Sequence, residues 1–363
     1  MKKNSTNAIK HALLILVPLL SVGALLPQES PTLVAKAVVP LTGTLASLGP
    51  LMEPSRCDPD GGVYLRVYSS PQWGLMPVIR VSTDGKEAAE FRIDQISDPP
   101  LKEGVLQDFA VDLRGNVYGL VFLSKTNESY VARFQRDGQF DSAIKLDSKV
   151  FPTALAVFPS REFLMSGIVP GSAGLKDGKP FTGIFDLSGE LVRSVRLPGD
   201  VKLGSGPAGA KKDNGKKTSE PRKFFDAQAD PAIPLTLGAV DVGDDGNAYL
   251  MRASQPPTVY VVSPSGDVLR QWRLKAPSPD FFPVAMKVSS GRIALAFQEN
   301  SVAAGSKPAI VYSVYDSLSG DFLAEYGEGD GVVGALACYS PDEFTFVGRD
   351  KEHPPAIVEA VPR

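Results

Sequence analysis

Histidine is nearly absent from this chain of 363 residues, which holds only His11 and His353. Because His11 lies in an N-terminal apolar segment, a single histidine is left for the rest of the chain. A multi-histidine zinc site is therefore excluded, and a Ser-His-Asp triad would have to use His353, which stands beside two prolines. The sequence also lacks HExxH, CxxC and glycine-rich phosphate-binding motifs. These absences favour a binding protein over an enzyme.

Cysteine is equally scarce, and neither sign of charge dominates. The chain has two cysteines, and its 38 Lys and Arg stand against 41 Asp and Glu, which gives a formal net charge of −3. Without Lys2, Lys3 and Lys10 of the N-terminal segment the formal charge becomes −6. A mildly acidic protein is a poor general binder of nucleic acid or anionic membrane. We therefore expect no nucleic-acid partner.

The one long apolar run is Ala12 to Leu26, and it follows three lysines. A basic stretch before about fifteen apolar residues is typical of a secretory signal peptide and is short for a membrane span. We predict a signal peptide over residues 1–26, with cleavage between residues 23 and 37. The protein is then periplasmic or secreted and keeps no stable membrane span. Retention of the segment as an anchor stays open as the alternative.

Short β-rich runs separated by small turns recur along the rest of the chain. The clearest copies are Asp108–Tyr118 and Gly238–Tyr249, and each is followed about twenty residues later by a second turn. The second turns carry glycines that are 53, 51, 77 and 54 residues apart, at Gly85, Gly138, Gly189, Gly266 and Gly320. A period of about fifty residues with four strand-sized runs in each unit is typical of a β-propeller blade.

We predict an all-β fold over residues 33–363, a six-bladed β-propeller of four-stranded antiparallel blades. The sixth unit offers only three strands, while the strand-like residues 33–42 have no other place in the repeat. An unpaired edge would be prone to aggregation, so we expect this N-terminal strand to complete the last blade and close the ring. Residues 201–230, where the spacing widens, are predicted to be a disordered basic insertion.

The repeated units resemble NHL-type six-bladed propellers. Those units read apolar-Ala-Val-Asp, a Gly-Asn turn, apolar-Tyr and a later Asp-Gly, as in Phe109–Asp112, Gly115-Asn116, Val117-Tyr118 and Asp137-Gly138. The resemblance covers nearly all of the chain after the signal segment and implies the propeller fold. It implies no single activity, because this scaffold carries binders, lyases and lactonases alike.

Asp58, Asp112 and Asp241 occupy similar places in this pattern, on the predicted innermost strands. Either each aspartate caps its own turn, or the three form a ring of carboxylates around a cation. Their recurrence with the repeat favours capping. In the cation alternative, Asp112, Asp241, Glu299 and Asn300 hold calcium in a lactonase-type or lyase-type enzyme.

Long and dissimilar connections between the second and third strands, and between successive units, fall at one end of the predicted ring. Such loops on a rigid ring usually carry binding. Trp73 in one of them either stacks on a ligand or folds back over a blade edge. The insertion carries the four lysines Lys211, Lys212, Lys216 and Lys217, which are either a solvated loop or a basic flap for an acidic partner.

Cys57 and Cys338 fall in the first and last units, which are neighbours in a closed ring. In an exported protein two cysteines are candidates for a disulfide. Both lie on innermost strands, however, where Cα atoms can be farther apart than the limit of about 7 Å. Two buried thiols are the alternative.

These observations predict an exported, monomeric, non-catalytic binding propeller without a cofactor. It presents its variable loops to a protein, peptide or glycan. The alternative is a calcium-dependent lactonase-type or lyase-type enzyme that uses channel carboxylates. The sequence does not name the ligand.

Overall fold

The computed structural model describes residues 31–47, 51–67, 77–147, 150–172, 174–198, 222–223, 240–302, 306–332, 334–341, 343–348 and 354–363. All of them belong to one compact unit, residues 31–363. The predicted signal peptide, Trp73, His353 and the four insertion lysines lie outside these ranges. Within them no helix has the length and apolar character needed to cross a membrane.

The described chain consists almost entirely of β-strands, which we number in chain order. The first thirteen are β1 (Thr32–Pro40), β2 (Leu51–Cys57), β3 (Val63–Val67), β4 (Val78–Val81), β5 (Glu87–Phe91), β6 (Val105–Val111), β7 (Val117–Leu123), β8 (Glu128–Phe134), β9 (Phe140–Leu146), β10 (Phe151–Val157), β11 (Phe163–Gly171), β12 (Gly174–Phe185) and β13 (Leu191–Ser194). The others are β14 (Arg222–Lys223), β15 (Val240–Val242), β16 (Ala248–Arg252), β17 (Thr258–Val262), β18 (Val268–Arg273), β19 (Phe281–Ser289), β20 (Arg292–Glu299), β21 (Ser301–Val302), β22 (Ile310–Asp316), β23 (Phe322–Glu328), β24 (Ala335–Ser340), β25 (Glu343–Gly348) and β26 (Ala356–Pro362). Three short 3-10 turns complete the described elements, at Gly43–Ser47, Ile93–Gln95 and Leu101–Glu103.

Strands that follow one another in the chain pair antiparallel and form four-stranded sheets. Within the described residues four such sheets stand alone: β2 to β5, β6 to β9, β10 to β13, and β15 to β18. A minor two-stranded sheet joins β14 to β21. The all-β prediction is confirmed, because the alternating apolar runs and Gly or Asp turns read from the sequence are these strands and their hairpins.

The remaining strands form one eight-stranded sheet, in the order β19-β20-β22-β23-β1-β26-β25-β24. Strand β1 pairs antiparallel with β26, from Leu33 opposite Pro362 to Pro40 opposite Ala356. It also pairs parallel with β23, but only at Thr32 and Leu33. The structure thus has one large sheet where the sequence predicts two separate ones, because this short parallel pairing joins them. The N-terminal segment pairs with the last strand, as expected.

The first strands of the sets contact one another in a closed cycle. Strand β2 contacts β6, and the series continues through β10, β15, β19 and β24 back to β2. This cycle of inner strands, with antiparallel sheets extending outward, is a β-propeller. Apolar side chains fill the space between adjacent sheets. Phe91 of the first sheet, for example, meets Phe134 of the second with ring centroids 5.9 Å apart. Each such buried ring contributes about 1.5–3 kcal/mol.

The glycine of each second turn packs against the outer strand of the preceding sheet. At Gly189, which has φ +85°, an added Cβ would collide with the carbonyl oxygen of Lys145 in β9, so only glycine fits. The same packing joins Gly85 to Pro40, Gly138 to Glu90, Gly266 to Arg193 and Gly320 to Trp272. The glycine period seen in the sequence is therefore a packing requirement between sheets.

Candidate ligand-binding cavity

The innermost strands surround a central cavity of about 790 Å³. Its lining includes residues of β2, β6, β10, β15, β19 and β24 and continues into the hairpin turns that join first and second strands. The sequence predicted binding at the other end of the ring, where the long and dissimilar connections lie. Residues of these hairpin turns line the cavity, among them Arg114 and Arg161. Much of the variable-loop end lies outside the described residues.

Asp112 caps its own turn. Its Oδ1 accepts the backbone N–H groups of Arg114 and Asn116, both at 2.9 Å, and its Oδ2 accepts the Tyr118 hydroxyl at 3.1 Å. Asp58 has the equivalent set, with the Gly62 N–H at 2.8 Å and the Tyr64 hydroxyl at 3.2 Å. Burial is the first cause that raises the pKa of Tyr118 to about 12, and the Asp112 charge adds to it. The tyrosine thus stays a donor, and both aspartates act as caps.

Asp241 is not the equivalent of Asp112, although both end an Ala-Val-Asp run. In the strand register Asp241 lies opposite Tyr249, as Arg56 lies opposite Tyr64 and Ala110 opposite Tyr118. Asp241 therefore corresponds to Ala110 and not to Asp112. The place of Asp112 in this turn is taken by Gly243, whose N–H donates to the Asn247 carbonyl. The alignment made from sequence was wrong here, since the turn of unit four begins two residues later than the Ala-Val-Asp run suggests.

Two aspartates instead join neighbouring inner strands. Asp241 accepts the N–H of Val242 at 3.0 Å and, from β19, the N–H of Val288 at 2.8 Å. Asp108, which is fully buried, accepts the N–H of Phe109 at 2.8 Å and, from β10, that of Leu155 at 2.9 Å. The sequence analysis missed these links. The available signal was a charged residue within an otherwise apolar inner strand, which is costly unless it is bonded.

Two buried cations lie on the inner strands that line the cavity. The Arg56 side chain is only 7% exposed and lies 3.6 Å from an Asp108 oxygen, and its Nη1 and Nη2 have no hydrogen-bond partner within the described residues. Lys287 donates from Nζ to the Ser55 carbonyl at 2.6 Å. Burial raises the pKa of Asp108, while the Arg56 charge and two backbone N–H groups oppose that shift.

Around the cavity, most carboxylates accept hydrogen bonds from described residues, whereas two arginine side chains donate none to them. Asp244 accepts the Ser290 N–H at 2.6 Å, and Glu343 pairs with Lys36 at 2.7 Å. In contrast, the guanidinium groups of Arg114 and Arg161 form no hydrogen bond or ion pair within the described part of the chain. Arg114 and Arg161 therefore offer guanidinium donors that no described residue uses.

The four residues considered for calcium do not come together. Asp112 and Asp241 line the cavity, but Glu299 and Asn300 do not. Glu299 ends β20 and accepts the Ala309 N–H at 3.2 Å, and the Asn300 N–H donates to the Asp280 carbonyl at 2.7 Å. Among the residues that the structure describes, no group of three or more acidic, histidine or cysteine side chains is placed to hold a metal ion.

The two cysteines also line the cavity. The structure joins Cys57 of β2 to Cys338 of β24 in a disulfide, with their Cα atoms 5.8 Å apart. This separation lies within the usual range for a disulfide, so the geometric objection raised from the sequence does not apply. The bond connects the first and last inner strands of the ring.

Comparison with known proteins gives no family for this chain. No family model matches it, and no curated protein does either. Among solved structures, virginiamycin B lyase from Staphylococcus aureus is 14% identical with a TM-score of 0.43, and the alignment covers 90% of this chain and 98% of that one.

Two other solved structures show the same level of similarity. The β-propeller domain of the Trilobed protease from Pyrococcus furiosus is 10% identical with a TM-score of 0.44, and the alignment covers 88% of this chain and 96% of that one. A protein of unknown function from Bacteroides caccae is 13% identical with a TM-score of 0.40, and the alignment covers 80% of this chain and 87% of that one. Similarity at this level says nothing about what this chain binds. The NHL-type resemblance stays a prediction, and the propeller fold stands on the strand pairing described above.

Proposed function

We propose that the protein is an exported, non-catalytic binding propeller of six blades that holds an anionic group of its ligand in the central cavity. The ligand is a protein, peptide or glycan with an acidic end or side group. This places the main contact at the hairpin-turn end of the ring. The variable loops and the lysine-rich insertion at the other end remain a second predicted surface.

The count of six blades is supported by the order of the strands. In the eight-stranded sheet, β19, β20, β22 and β23 form one set of four, and β24, β25, β26 and β1 form another. Together with the four separate sheets this gives six sets. The closed cycle of contacts runs through six inner strands. The packing of Gly85 against Pro40 supports β1 as the outer strand that precedes the first sheet.

The observation that carries the function is the imbalance of unused groups in the cavity. Within the described residues, the guanidinium groups of Arg114 and Arg161 on the cavity lining have no hydrogen-bond partners, while five of the six lining carboxylates already accept protein donors. Unpaired donors in a concave site favour an anionic ligand. The same engagement reduces the number of lone pairs that Asp112 and Asp241 could offer to a cation.

Filling the cavity tests the proposal. Immobilised protein is incubated with cell-envelope extract, and the retained peptides and glycans are identified by mass spectrometry. The test variants are Val242→Trp and Ser289→Trp, which place an indole in the cavity from two different strands, β15 and β19. The matched control is Val192→Trp, because Val192 is 58% exposed on the outer strand β13.

We expect the wild type and the control to retain a common set of acidic species that both cavity variants lose. Circular dichroism melts check that the variants are folded. Equal retention by all four proteins, or no specific retention by the wild type, would contradict the proposal. A parallel melt with millimolar calcium addresses the enzyme alternative, which requires a rise in melting temperature.

A further inference from the structure

One hairpin turn of the ring contains an arginine where its counterparts contain glycine. Four turns between first and second strands share the same two backbone bonds, and their fourth residues are Gly61, Gly115, Arg161 and Gly246. In the turn from Phe158 to Glu162, the Arg161 N–H donates to the Phe158 carbonyl at 2.7 Å. Arg161 has φ +71°, close to the +81° of Gly115.

This backbone conformation is unfavourable for arginine. A Cβ in the left-handed region crowds the following carbonyl, so glycine is the default there, and Asn or Asp is the usual substitute. An arginine at this position therefore works against the local preference of the turn. Backbone strain of this kind tends to occur where a side chain serves a function.

The Arg161 side chain lies between two cavities. It lines the central cavity and also a smaller one of about 260 Å³ beside it, and Arg114 is shared by the two in the same way. Arg133 enters the smaller cavity from β8 and pairs with Asp141 at 2.5 Å. Three arginines thus line a cavity with one lining carboxylate, Asp141, and the guanidinium groups of Arg114 and Arg161 form no hydrogen bond or ion pair within the described residues.

We propose that Arg114, Arg133 and Arg161 form an oxyanion-binding site that takes a carboxylate, phosphate or sulfate group. A guanidinium presents its N–H groups as a rigid fork that matches the oxygens of such groups in pairs. Asn116 and Gln135 also line the cavity and supply amide groups at its edge.

This site deepens the proposed function, and it rests on that function for its place in the protein. It specifies where the acidic group of the ligand binds and which side chains recognise it. The arginine is kept in a glycine position because the turn directs it between the two cavities. The stability of the turn and the binding of the anion are therefore expected to respond in opposite ways when Arg161 is replaced.

The test measures binding of citrate, inorganic phosphate and sulfate to the full chain by isothermal titration calorimetry. The variants are Arg161→Asn, which tolerates the left-handed backbone without the charge, and Arg161→Gly, which relieves the strain. The matched control is Arg273→Asn, which removes an arginine charge from the exposed face of β18.

We expect at least one of the three anions to bind the wild type and the control, with affinity lower by about tenfold or more in both Arg161 variants, as for loss of one charge-assisted pair. The melting temperature of Arg161→Gly should stay the same or rise by about 2 °C. A preference for citrate over phosphate and sulfate assigns the site to carboxylates, and the reverse order assigns it to tetrahedral anions. Equal affinity in all variants, no binding by the wild type, or a clear fall in the melting temperature of Arg161→Gly would overturn the proposal.

Retention of envelope species by the cavity variants Val242→Trp and Ser289→Trp, compared with anion binding by the wild type and the Arg161 variants, separates this proposal from the proposed function. If no anion binds the wild type while the cavity variants still lose their retained species, the oxyanion site is wrong and the binding function stands. If an anion binds through Arg161 but nothing is retained from the extract, the site stands and the proposed function is wrong.

Discussion

Two sheets of this ring are built in opposite ways. The sheet of β6 to β9 uses one continuous segment, residues 105–146, in which each strand reaches the next through a short turn. The set that contains β24, β25 and β26 takes its fourth strand from residues 32–40, so that Leu33 lies opposite Pro362. The cost of bringing chain segments together grows with the length of the loop between them. The second set therefore needs stabilisation that the first does not.

The stabilising contacts follow this difference. The continuous sheet relies on local devices, such as the Asp112 cap with its bonds to Asn116 and Tyr118. The closing set adds long-range ones, namely the disulfide between Cys57 and Cys338, the pairing of Lys36 with Glu343, and β1 itself. The comparison teaches that the sheet of β6 to β9 is held by local contacts, whereas the set with β24, β25, β26 and β1 is held by contacts between distant parts of the chain.

The largest effect is expected from removing the discontinuous strand. Deletion of residues 32–40 leaves the edge of β26 unpaired. It also removes the buried Leu33 and exposes the apolar side chains that pack against it, so most of the folded state should be lost. Circular dichroism and size-exclusion chromatography measure this outcome. A longer deletion, residues 205–220 in the insertion, is the control and should leave the melt unchanged. A soluble 32–40 deletion with an unchanged melting temperature would show that β1 does not close the ring.

The next largest effect is expected from the disulfide. The bond closes a loop with a sequence separation of 281, and the chain-entropy model gives a stabilisation of about 5 kcal/mol for a loop of this length. The double variant Cys57→Ser, Cys338→Ser should lower the urea midpoint by a corresponding amount, and reductant should do the same to the wild type. Thiol titration of the denatured, unreduced wild type should find no free thiol. Two reactive thiols would contradict the bond.

A smaller effect is expected from the local cap. Asp112→Ala removes a carboxylate that accepts two backbone N–H groups and one hydroxyl, which should cost about 1–2 kcal/mol in the free energy of unfolding. Asp137→Ala is the control, because the exposed Asp137 accepts, among the described residues, only the Gln139 N–H at 3.0 Å. It should cost less than about 0.5 kcal/mol. Equal losses in the two variants would mean that the cap does not stabilise the continuous sheet.

The smallest effect is expected from the buried tyrosines, whose contribution to the free energy of unfolding should fall at alkaline pH. Burial raises the pKa of Tyr118 and of Tyr249 to about 12, whereas the unfolded chain loses the phenolic proton near pH 10. The folded state therefore binds more protons between these values, and stability should fall as pH rises from about 10 to about 12. Urea midpoints at pH 9 and 11 measure the fall, and Tyr118→Phe should reduce it. A midpoint that does not change with pH would contradict the raised pKa values.

The sequence predicted the strands and their pairing because both depend on local spacing. The turn glycines mark hairpins, and the shortage of strands in the last unit pointed to the pairing of β1 with β26. The position of Asp241 could not be read in the same way, because the Ala-Val-Asp run occurs twice, while the turn begins at the aspartate in one copy and two residues after it in the other. The sequence analysis considered a central channel but missed its unused arginine donors, because these depend on which side chains are already bonded across neighbouring sheets. Arg161 did leave a signal, an arginine in place of the turn glycine.

The packing of turn glycines against the preceding sheet has a consequence for how such a ring can change over generations. Each contact, such as that of Gly189 with Lys145, involves only two neighbouring units. We expect single insertions inside these turns to be poorly tolerated, because they displace the glycine from the carbonyl it must approach. Such an insertion disturbs the packing of two neighbouring units at once.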